Sequence, residues 1–320
     1  MKCCQCVQFY DEILICGSNK NDKCYSYHVV SQTYKPICKY PDDVSLLIGH
    51  NVVAYKSSSN KEMILLSFGG LFKHTLMMRY RSVWDETNIT PNQWMTLKNK
   101  VIIGESVTDE EEDEYNLEGC RGIISGINQN LLFVVHPPNR ILVIELDFFG
   151  YATTIVHDSM PTDSTCIEYP CFVPLTKNGK PLTNQFLCVC KDKSILICYN
   201  EYLRTFCYEF LSVPSFIQYH FGYAFVTVND RVILFGGYTE NENEVTFIHI
   251  YTISENQWIL CDYNLPPSIS MASAIWCNVD NSIHIIGGPL LNDIRMLSAH
   301  LKIDARELIG VEKGKNKARK

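Results

Sequence analysis

A short apolar run that recurs about six times constrains this chain more than any other feature of its sequence. The runs lie at residues 12–17 (EILICG), 63–70 (MILLSFGG), 131–136 (LLFVVH), 186–191 (FLCVCK), 232–237 (VILFGG) and 282–288 (SIHIIGG). Their starts are roughly 46 to 68 residues apart, a spacing typical of arrays of small repeated units. Because Val, Ile and aromatic residues favour strands, the pattern predicts a repeat built from β-sheets.

Two further residue types recur at fixed places in these repeats. Glycine ends four of the runs, at Gly17, Gly69-Gly70, Gly236-Gly237 and Gly287-Gly288. Glycine adopts positive φ easily and lets a second backbone approach closely. A second strand and then two spaced side chains follow each run: Tyr27 and Tyr34, Trp84 and Trp94, Ile144 and Tyr151, Tyr199 and Phe206, and Tyr251 and Trp258. All but the Trp84–Trp94 pair, which carries an insertion, are separated by six residues.

The order Gly-Gly, Tyr, six residues, Trp within residues 232–258 resembles the kelch repeat, and segments such as 282–288 resemble divergent kelch-motif proteins of protists. The resemblance covers nearly the whole chain, although three repeats lack the glycine pair. It implies an all-β, kelch-type β-propeller of six four-stranded blades, with a truncated seventh left open. The glycine pairs are then expected near the central channel, and the aromatic pairs between adjacent blades.

We predict one domain over residues 1–304, with a basic, disordered tail at 305–320. The blades are expected at about 3–42, 43–99, 100–158, 159–212, 213–265 and 266–304. The sixth blade has no evident fourth strand, because Asp304 stands where the second aromatic residue would be. Two alternatives follow: residues 307–311 (ELIGV) close the ring, or the sequence is truncated at its start.

Composition argues against several classes of protein. The net charge is −7, with no broad basic field of the kind that nucleic-acid binding needs. No apolar run approaches the roughly 18 residues that span a bilayer, and the N-terminus lacks the apolar core of a signal peptide. We therefore expect a cytoplasmic protein whose 15 cysteines are reduced thiols.

The sequence contains no motif that predicts catalysis or a cofactor. A GxSxG motif, a P-loop, a helix-opening GxGxxG and HExxH are all missing, so no catalytic, cofactor or metal site is predicted. Cys3, Cys4 and Cys6 are interpreted as strand packing rather than as zinc ligands or palmitoylation sites. Structural roles are also expected for His28, His249 and His284, and, by the kelch resemblance, for His50.

Three further segments have an ordinary interpretation and a functional alternative. The acidic run 109–114 (DEEEDE) is expected to be a solvated loop, or else a docking site for a basic partner. The tail 313–320 is expected to be disordered, or else to serve nuclear import or to bind an anionic surface. The glycosylation sequon at Asn88 should stay unmodified without secretion.

Two functions from different classes remain. The first is a monomeric, non-catalytic scaffold that binds a protein or peptide through loops on a propeller face, namely 72–76, 108–117, 174–184 and 238–244. The second is a propeller enzyme, either copper oxidase-like or sugar-processing, as some kelch relatives are. A copper-radical site would need two tyrosines, two histidines and a cysteine that converge in the channel.

Overall fold

The chain folds into a six-bladed β-propeller, as predicted. The computed structural model describes residues 3–44, 46–59, 62–87, 90–104, 117–147, 150–162, 167–239, 241, 245–261, 263, 265, 269–288 and 300–309. These residues form six antiparallel sheets, of which five have four strands and the last has three. The first strands of most neighbouring blades contact one another around a central channel, the sixth blade contacts the first, and the fourth and fifth blades share an apolar core. The described residues include no apolar helix of membrane-spanning length.

The first three blades follow the chain in simple order. Their strands are β1 Gln5–Phe9, β2 Glu12–Ser18, β3 Asn21–His28 and β4 Thr33–Lys39; β5 His50–Ser59, β6 Glu62–Gly69, β7 His74–Tyr80 and β8 Met95–Thr96; and β9 Arg121–Ser125, β10 Leu131–His136, β11 Arg140–Leu146 and β12 Ala152–Ser159. Within each blade, every strand pairs with the next one along the chain.

The last three blades repeat this order. Their strands are β13 Cys171–Lys177, β14 Lys180–Cys190, β15 Lys193–Asn200 and β16 Thr205–Leu211; β17 Ala224–Val228, β18 Arg231–Phe235, β19 Ile248–Thr252 and β20 Gln257–Cys261; and β21 Ala272–Cys277, β22 Ser282–Gly287 and β23 His300–Asp304. One short helix, α1 Ala305–Ile309, follows the sixth blade.

The recurring apolar runs are the second strands of the blades. In β10, for example, all six residues are buried, rather than every second one. A second strand is covered by a neighbouring blade on each of its two faces, so both sets of alternating side chains meet apolar atoms. This double coverage explains why the runs are continuously apolar instead of alternating.

The spaced aromatic residues pack between blades as predicted in three repeats. Tyr27 pairs with Tyr34, Tyr199 with Phe206 and Tyr251 with Trp258 across the third and fourth strands, with ring centroids 4.8, 4.8 and 4.9 Å apart. The first member of each pair is buried in the core shared with a neighbouring blade. Offset aromatic pairs at such distances add about 0.5–1.5 kcal/mol beyond the burial of their area.

The other two repeats form no such pair across the third and fourth strands. Trp84 and Trp94 still lie against the first blade, as predicted, whereas the prediction is wrong for Tyr151. A bulge shifts the register of β11 and β12, so Ile144 faces Thr154 rather than Tyr151, and Tyr151 is exposed. Trp84 lies in the connection between the third and fourth strands of the second blade. Trp94 instead stacks on Tyr40 of the first blade, with centroids 4.8 Å apart. Equal spacing in the sequence therefore does not guarantee equal register in the sheet.

The ring closes by contacts between the first and sixth blades, and among the described residues the sixth has three strands. The backbone N–H of Cys3 donates to the carbonyl oxygen of Met271 at 2.7 Å, and the thiol of Cys4 donates to the carbonyl of Ile286 at 3.2 Å. The prediction that residues 307–311 close the ring is wrong for residues 307–309, which belong to α1. Leu308 is buried in the core between the fifth and sixth blades.

One predicted loop is a hairpin, and another is partly a strand. Residues 174–184 form most of a hairpin between β13 and β14, whose turn is only Asn178-Gly179. Residues 74–76 of the predicted loop 72–76 begin β7. The other two predicted loops lie largely outside the described residues, which leave out 108–116 and most of 240–244, and with them the acidic run 109–114.

Candidate functional site

A ring of left-handed residues marks one end of the central channel. In every blade, a residue with positive φ stands one or two positions before the first strand: Cys3, Gly49, Gly119, Tyr169, Gly222 and Met271. Backbone hydrogen bonds join neighbours in this ring, from Gly119 N–H to Gly49 carbonyl at 2.9 Å and from Met271 N–H to Gly222 carbonyl at 2.7 Å. The ring holds the first strands at this channel mouth. On the same face emerge the connections between blades and the turns between the second and third strands of each blade, called b–c turns below.

A small cavity opens at this mouth. It has a volume of about 160 Å³ and is lined by all six first strands, near their starts. The lining residues are Gln5, Cys6, Asn51, Val52, Arg121, Gly122, Phe172, Phe225, Ala272, Ser273 and Ala274. The described lining therefore contains neither tyrosine nor histidine, and the converging ligands that a copper-radical centre would need are not in this part of the channel.

Arg121 is the charged residue of this lining. Its guanidinium lies 5.8 Å from the ring centroids of both Tyr169 and Phe225, and its Nη1 donates to the carbonyl of Cys120 at 2.9 Å. It makes no ion pair with any residue in the described part of the chain. Because a guanidinium carries five N–H donors, most of its hydrogen-bonding capacity is left for a ligand.

The groups around Arg121 are neutral or already bonded. Burial raises the pKa of the Cys120 thiol to about 12 and raises the pKa of Cys171 well above its usual value, so neither offers a thiolate. Burial also raises the pKa of Tyr169, whose hydroxyl donates to the Glu118 carboxylate at 2.6 Å. The charge of Arg121 is therefore not neutralised by its thiol neighbours.

Asn51 fixes the wall of the cavity beside Arg121. Its amide nitrogen donates to Gln5 Oε1, and its amide oxygen accepts the N–H of Gly122, both at 3.0 Å. One buried side chain thus ties the first strands of three blades together. A pocket wall fixed in this way loses little conformational entropy when a ligand binds.

A second cluster of polar side chains lies between the first and sixth blades. His284 Nε2 is 3.1 Å from the Asp280 carboxylate, and His284 Nδ1 is 2.8 Å from His300 Nε2. His300 Nδ1 in turn is hydrogen-bonded to the Tyr34 hydroxyl. Burial lowers the pKa of His284 and lowers that of His300 to about 4, so both rings are neutral.

The direction of this chain of hydrogen bonds follows from Asp280. A carboxylate only accepts, so His284 donates from Nε2 and accepts at Nδ1. His300 then donates from Nε2 and accepts from the Tyr34 hydroxyl at Nδ1. Lys302 Nζ lies 2.9 Å from the same carboxylate and balances its charge. Cys277 completes the cluster, and its thiol sulfur accepts from Gln8 Nε2 at 3.4 Å.

Three other histidines and Cys4 occupy structural positions. His50 is buried, with its ring nitrogens 3.0 and 3.1 Å from the carbonyls of Leu47 and Cys16. His28 Nε2 lies 3.2 Å from Asp11, and His249 stacks on Phe216. Cys4 is buried in the core between the first and sixth blades, as the packing interpretation predicts.

Sequence reasoning missed both clusters. Arg121 begins β9, and no motif in the sequence marks it. The signal that could have found it is a lone cation at the start of a first strand, a position that faces the channel in every repeat. Cys277, Asp280 and His284 match no standard metal motif, and His300 reaches them from another strand.

Comparisons with known proteins support the fold alone. No protein-family model matches the sequence, and no curated protein matches it. The structure of YjhT is similar, with a TM-score of 0.59 and 10% sequence identity over 94% of this chain and 97% of that chain. A fungal alcohol oxidase of the AA5 family, in complex with copper, has a TM-score of 0.58 at 11% identity; 94% of this chain matches 61% of the oxidase. At such identities the kelch family itself stays a prediction.

Proposed function

We propose that this propeller is a non-catalytic, kelch-type binding module that takes an acidic side chain of a protein or peptide partner into the channel mouth. The observation that carries the proposal is Arg121, a cation at the mouth that makes no ion pair with a described residue. Arginine binds carboxylates through paired, charge-assisted hydrogen bonds. The partner's Asp or Glu would supply the missing anion.

The size of the cavity favours a side chain over a metabolite. Pockets for drug-sized molecules usually have volumes of about 300–1,000 Å³, whereas this one has about 160 Å³. The cavity therefore suits one short side chain whose backbone stays outside on the propeller face. A partner held in this way needs further contacts around the mouth.

Apolar side chains on the same face can supply those contacts. Phe72 is 57% exposed in the b–c turn of the second blade, and Leu46 and Leu71 are exposed beside it. The N–H of Leu71 donates to the carbonyl of Ile48 at 2.9 Å, which fixes this turn against the preceding connection. Exposed aromatic and aliphatic anchors around a charged centre are typical of protein-binding hot spots.

Selection of peptides from a random library by the purified chain tests the proposal. We expect enriched peptides to share an Asp or Glu and to lose at least tenfold in affinity for the R121M variant. The matched control is R204M, because Arg204 is exposed in a turn on the opposite face, and its affinity should equal that of the wild type. Enriched peptides without a shared acidic residue, or peptides that bind R121M normally, would refute the proposal.

A second pair of variants tests which face binds. Phe72→Ala should lower the affinity for the selected peptides by roughly fivefold or more, since truncation of a hot-spot residue costs over 1 kcal/mol of binding free energy. Tyr202→Ala removes a side chain that is 94% exposed on the opposite face and should leave the affinity unchanged. The reverse pattern would move the binding surface away from the channel mouth.

A further inference from the structure

The hairpin of the sixth blade gathers three metal-binding side chains of different chemistry. The thiol of Cys277, the carboxylate of Asp280 and a ring nitrogen of His284 lie within 4.8 Å of one another, and no other such group occurs in the part of the chain that is described. Cys277 ends β21, Asp280 lies in the turn, and His284 lies on β22. From this arrangement we propose that these three residues bind a zinc ion, with the fourth position open to water.

The donor set matches the preferences of zinc. Zn²⁺ binds thiolate, imidazole and carboxylate at about 2.0–2.3 Å in tetrahedral geometry. Ligand atoms around such an ion lie about 3.3–3.8 Å from one another, and His284 Nε2 is already 3.1 Å from Asp280 Oδ2. Cys277 and His284 are buried and Asp280 is partly buried, so the site would exclude most solvent. Only small side-chain movements separate the observed positions from a coordinated ion.

His300 provides the outer support that metal-binding histidines usually have. Its Nε2 lies 2.8 Å from His284 Nδ1, and a hydrogen bond to the second ring nitrogen orients such ligands. Zinc at His284 Nε2 would displace the proton there, so Nδ1 would carry the proton and donate to His300. The hydrogen bonds from His284 through His300 to Tyr34 would then run in the opposite direction, and the Cys277 thiol would release its proton to solvent.

Lys302 competes with the metal for Asp280. Its ammonium group lies 2.9 Å from Asp280 Oδ2, close to where a metal ion would bind the same carboxylate. The side chain is 44% exposed, so it can turn into solvent when the ion enters. Removal of this competing charge should therefore strengthen metal binding, a result that a purely structural hydrogen-bond cluster would not give.

The site has a clear structural use in this blade. The described part of the sixth sheet has three strands, and all three ligands belong to the hairpin that packs against the first blade through Gln8 and Tyr27. A bound ion would fix this hairpin at the place where the ring closes. Zinc should thus raise the thermal stability of the whole propeller, since a ligand that binds only the native state stabilises it.

Titration of the chelator-stripped full chain with Co²⁺, a spectroscopic substitute for zinc, tests the proposal. We expect one equivalent to bind with a thiolate-to-metal charge-transfer band and tetrahedral d–d absorption, and Zn²⁺ to displace it. C277S should abolish the charge-transfer band, and H284Q should weaken binding at least tenfold. K302M should tighten binding about tenfold. The control C207S removes an exposed thiol of the fourth blade and should behave like the wild type.

The far-ultraviolet circular dichroism spectrum of each variant separates loss of the site from loss of the fold. D280N serves as the second variant if C277S does not fold, and it should also weaken Co²⁺ binding at least tenfold. Failure of the wild type to bind Co²⁺ stoichiometrically would overturn the proposal. So would a charge-transfer band that persists in C277S, or a K302M variant that binds more weakly than the wild type. None of these results depends on the peptide-binding function proposed above.

Discussion

Among single residues, those in the left-handed conformation matter most for the packing of the propeller. Gly236 has φ +62°, and a Cβ atom there would stand 2.0 Å from the backbone carbonyl oxygen of Ile269. Ile269 lies in the connection to the next blade. The Gly-Gly motif in the sequence predicted a residue with positive φ at this place. It could not predict the left-handed Tyr169 or Met271, because there the backbone contacts of the ring override the intrinsic preference of the residue.

Gly236→Ala should therefore be strongly destabilising. A left-handed alanine alone costs about 1–2 kcal/mol, and the contact with Ile269 adds to that cost. The control is Gly179→Ala, which has φ +71° but open space, with its nearest atom 3.6 Å away. Chemical denaturation should give a loss for G236A at least twice that for G179A; equal losses would contradict the role of close packing.

The buried histidines should make the propeller sensitive to acid. Burial lowers the pKa of His50 to about 3 and those of His74 and His249 to about 4. The unfolded chain binds these protons near pH 6.5, whereas the folded chain does not. The contribution of the neutral histidines to the free energy of unfolding is therefore fully present above that pH. It falls as the pH drops from about 6.5 towards 4, by about 1.4 kcal/mol per pH unit for each histidine.

His249→Phe isolates one of these contributions. The phenyl ring can keep the stacking on Phe216 but cannot be protonated. The difference in unfolding free energy between pH 7.5 and 5.5 should be about 1.4 kcal/mol smaller in H249F than in the wild type. Denaturant titrations at the two pH values measure this difference, and identical pH dependences would show that His249 is not held neutral by burial.

At the scale of strands, the sequence predicted most of the second strands and fewer of the outer ones. The second strands are continuously apolar because two neighbouring blades cover them, and this signal is local. The pairing of β11 with β12 in the third blade depends on a bulge between Val143 and Ile144. No residue type in the sequence indicates this bulge. The hairpin at Asn178-Gly179 was missed because Pro174 and polar residues resemble a loop, although Pro174 lies opposite Phe186 in the sheet.

The aromatic pairs give a direct test at this scale. Tyr251 is 2% exposed and lies against the fourth blade, so Tyr251→Ala should lower the unfolding free energy by about 3–5 kcal/mol. Tyr151 is the second member of the pair in the third repeat, the position that Trp258 holds in the fifth, and it is 46% exposed. Tyr151→Ala should change stability by no more than about 0.5 kcal/mol, and a similar loss in both variants would show that sequence spacing outweighs register.

At the scale of the whole molecule, repetition explains why the fold could be predicted while the sites could not. Six similar units specify a propeller even though the glycine pair is present in only three of them. The two sites arise where residues that do not repeat meet across the ring. Arg121 has no counterpart cation among the other lining residues, and His284 and His300 come from different strands of the sixth blade, where it meets the first.

The central claim is that Arg121 pairs with a carboxylate of a bound partner, and a double-mutant cycle measures that pairing most directly. Fluorescence anisotropy would give the affinity of a selected peptide, and of the same peptide with its acidic residue changed to Asn or Gln, for the wild type and for R121M. We predict a coupling energy of about 1.5 kcal/mol or more, as for close interfacial charge pairs. A coupling energy near zero, with each change weakening binding independently, would contradict the claim.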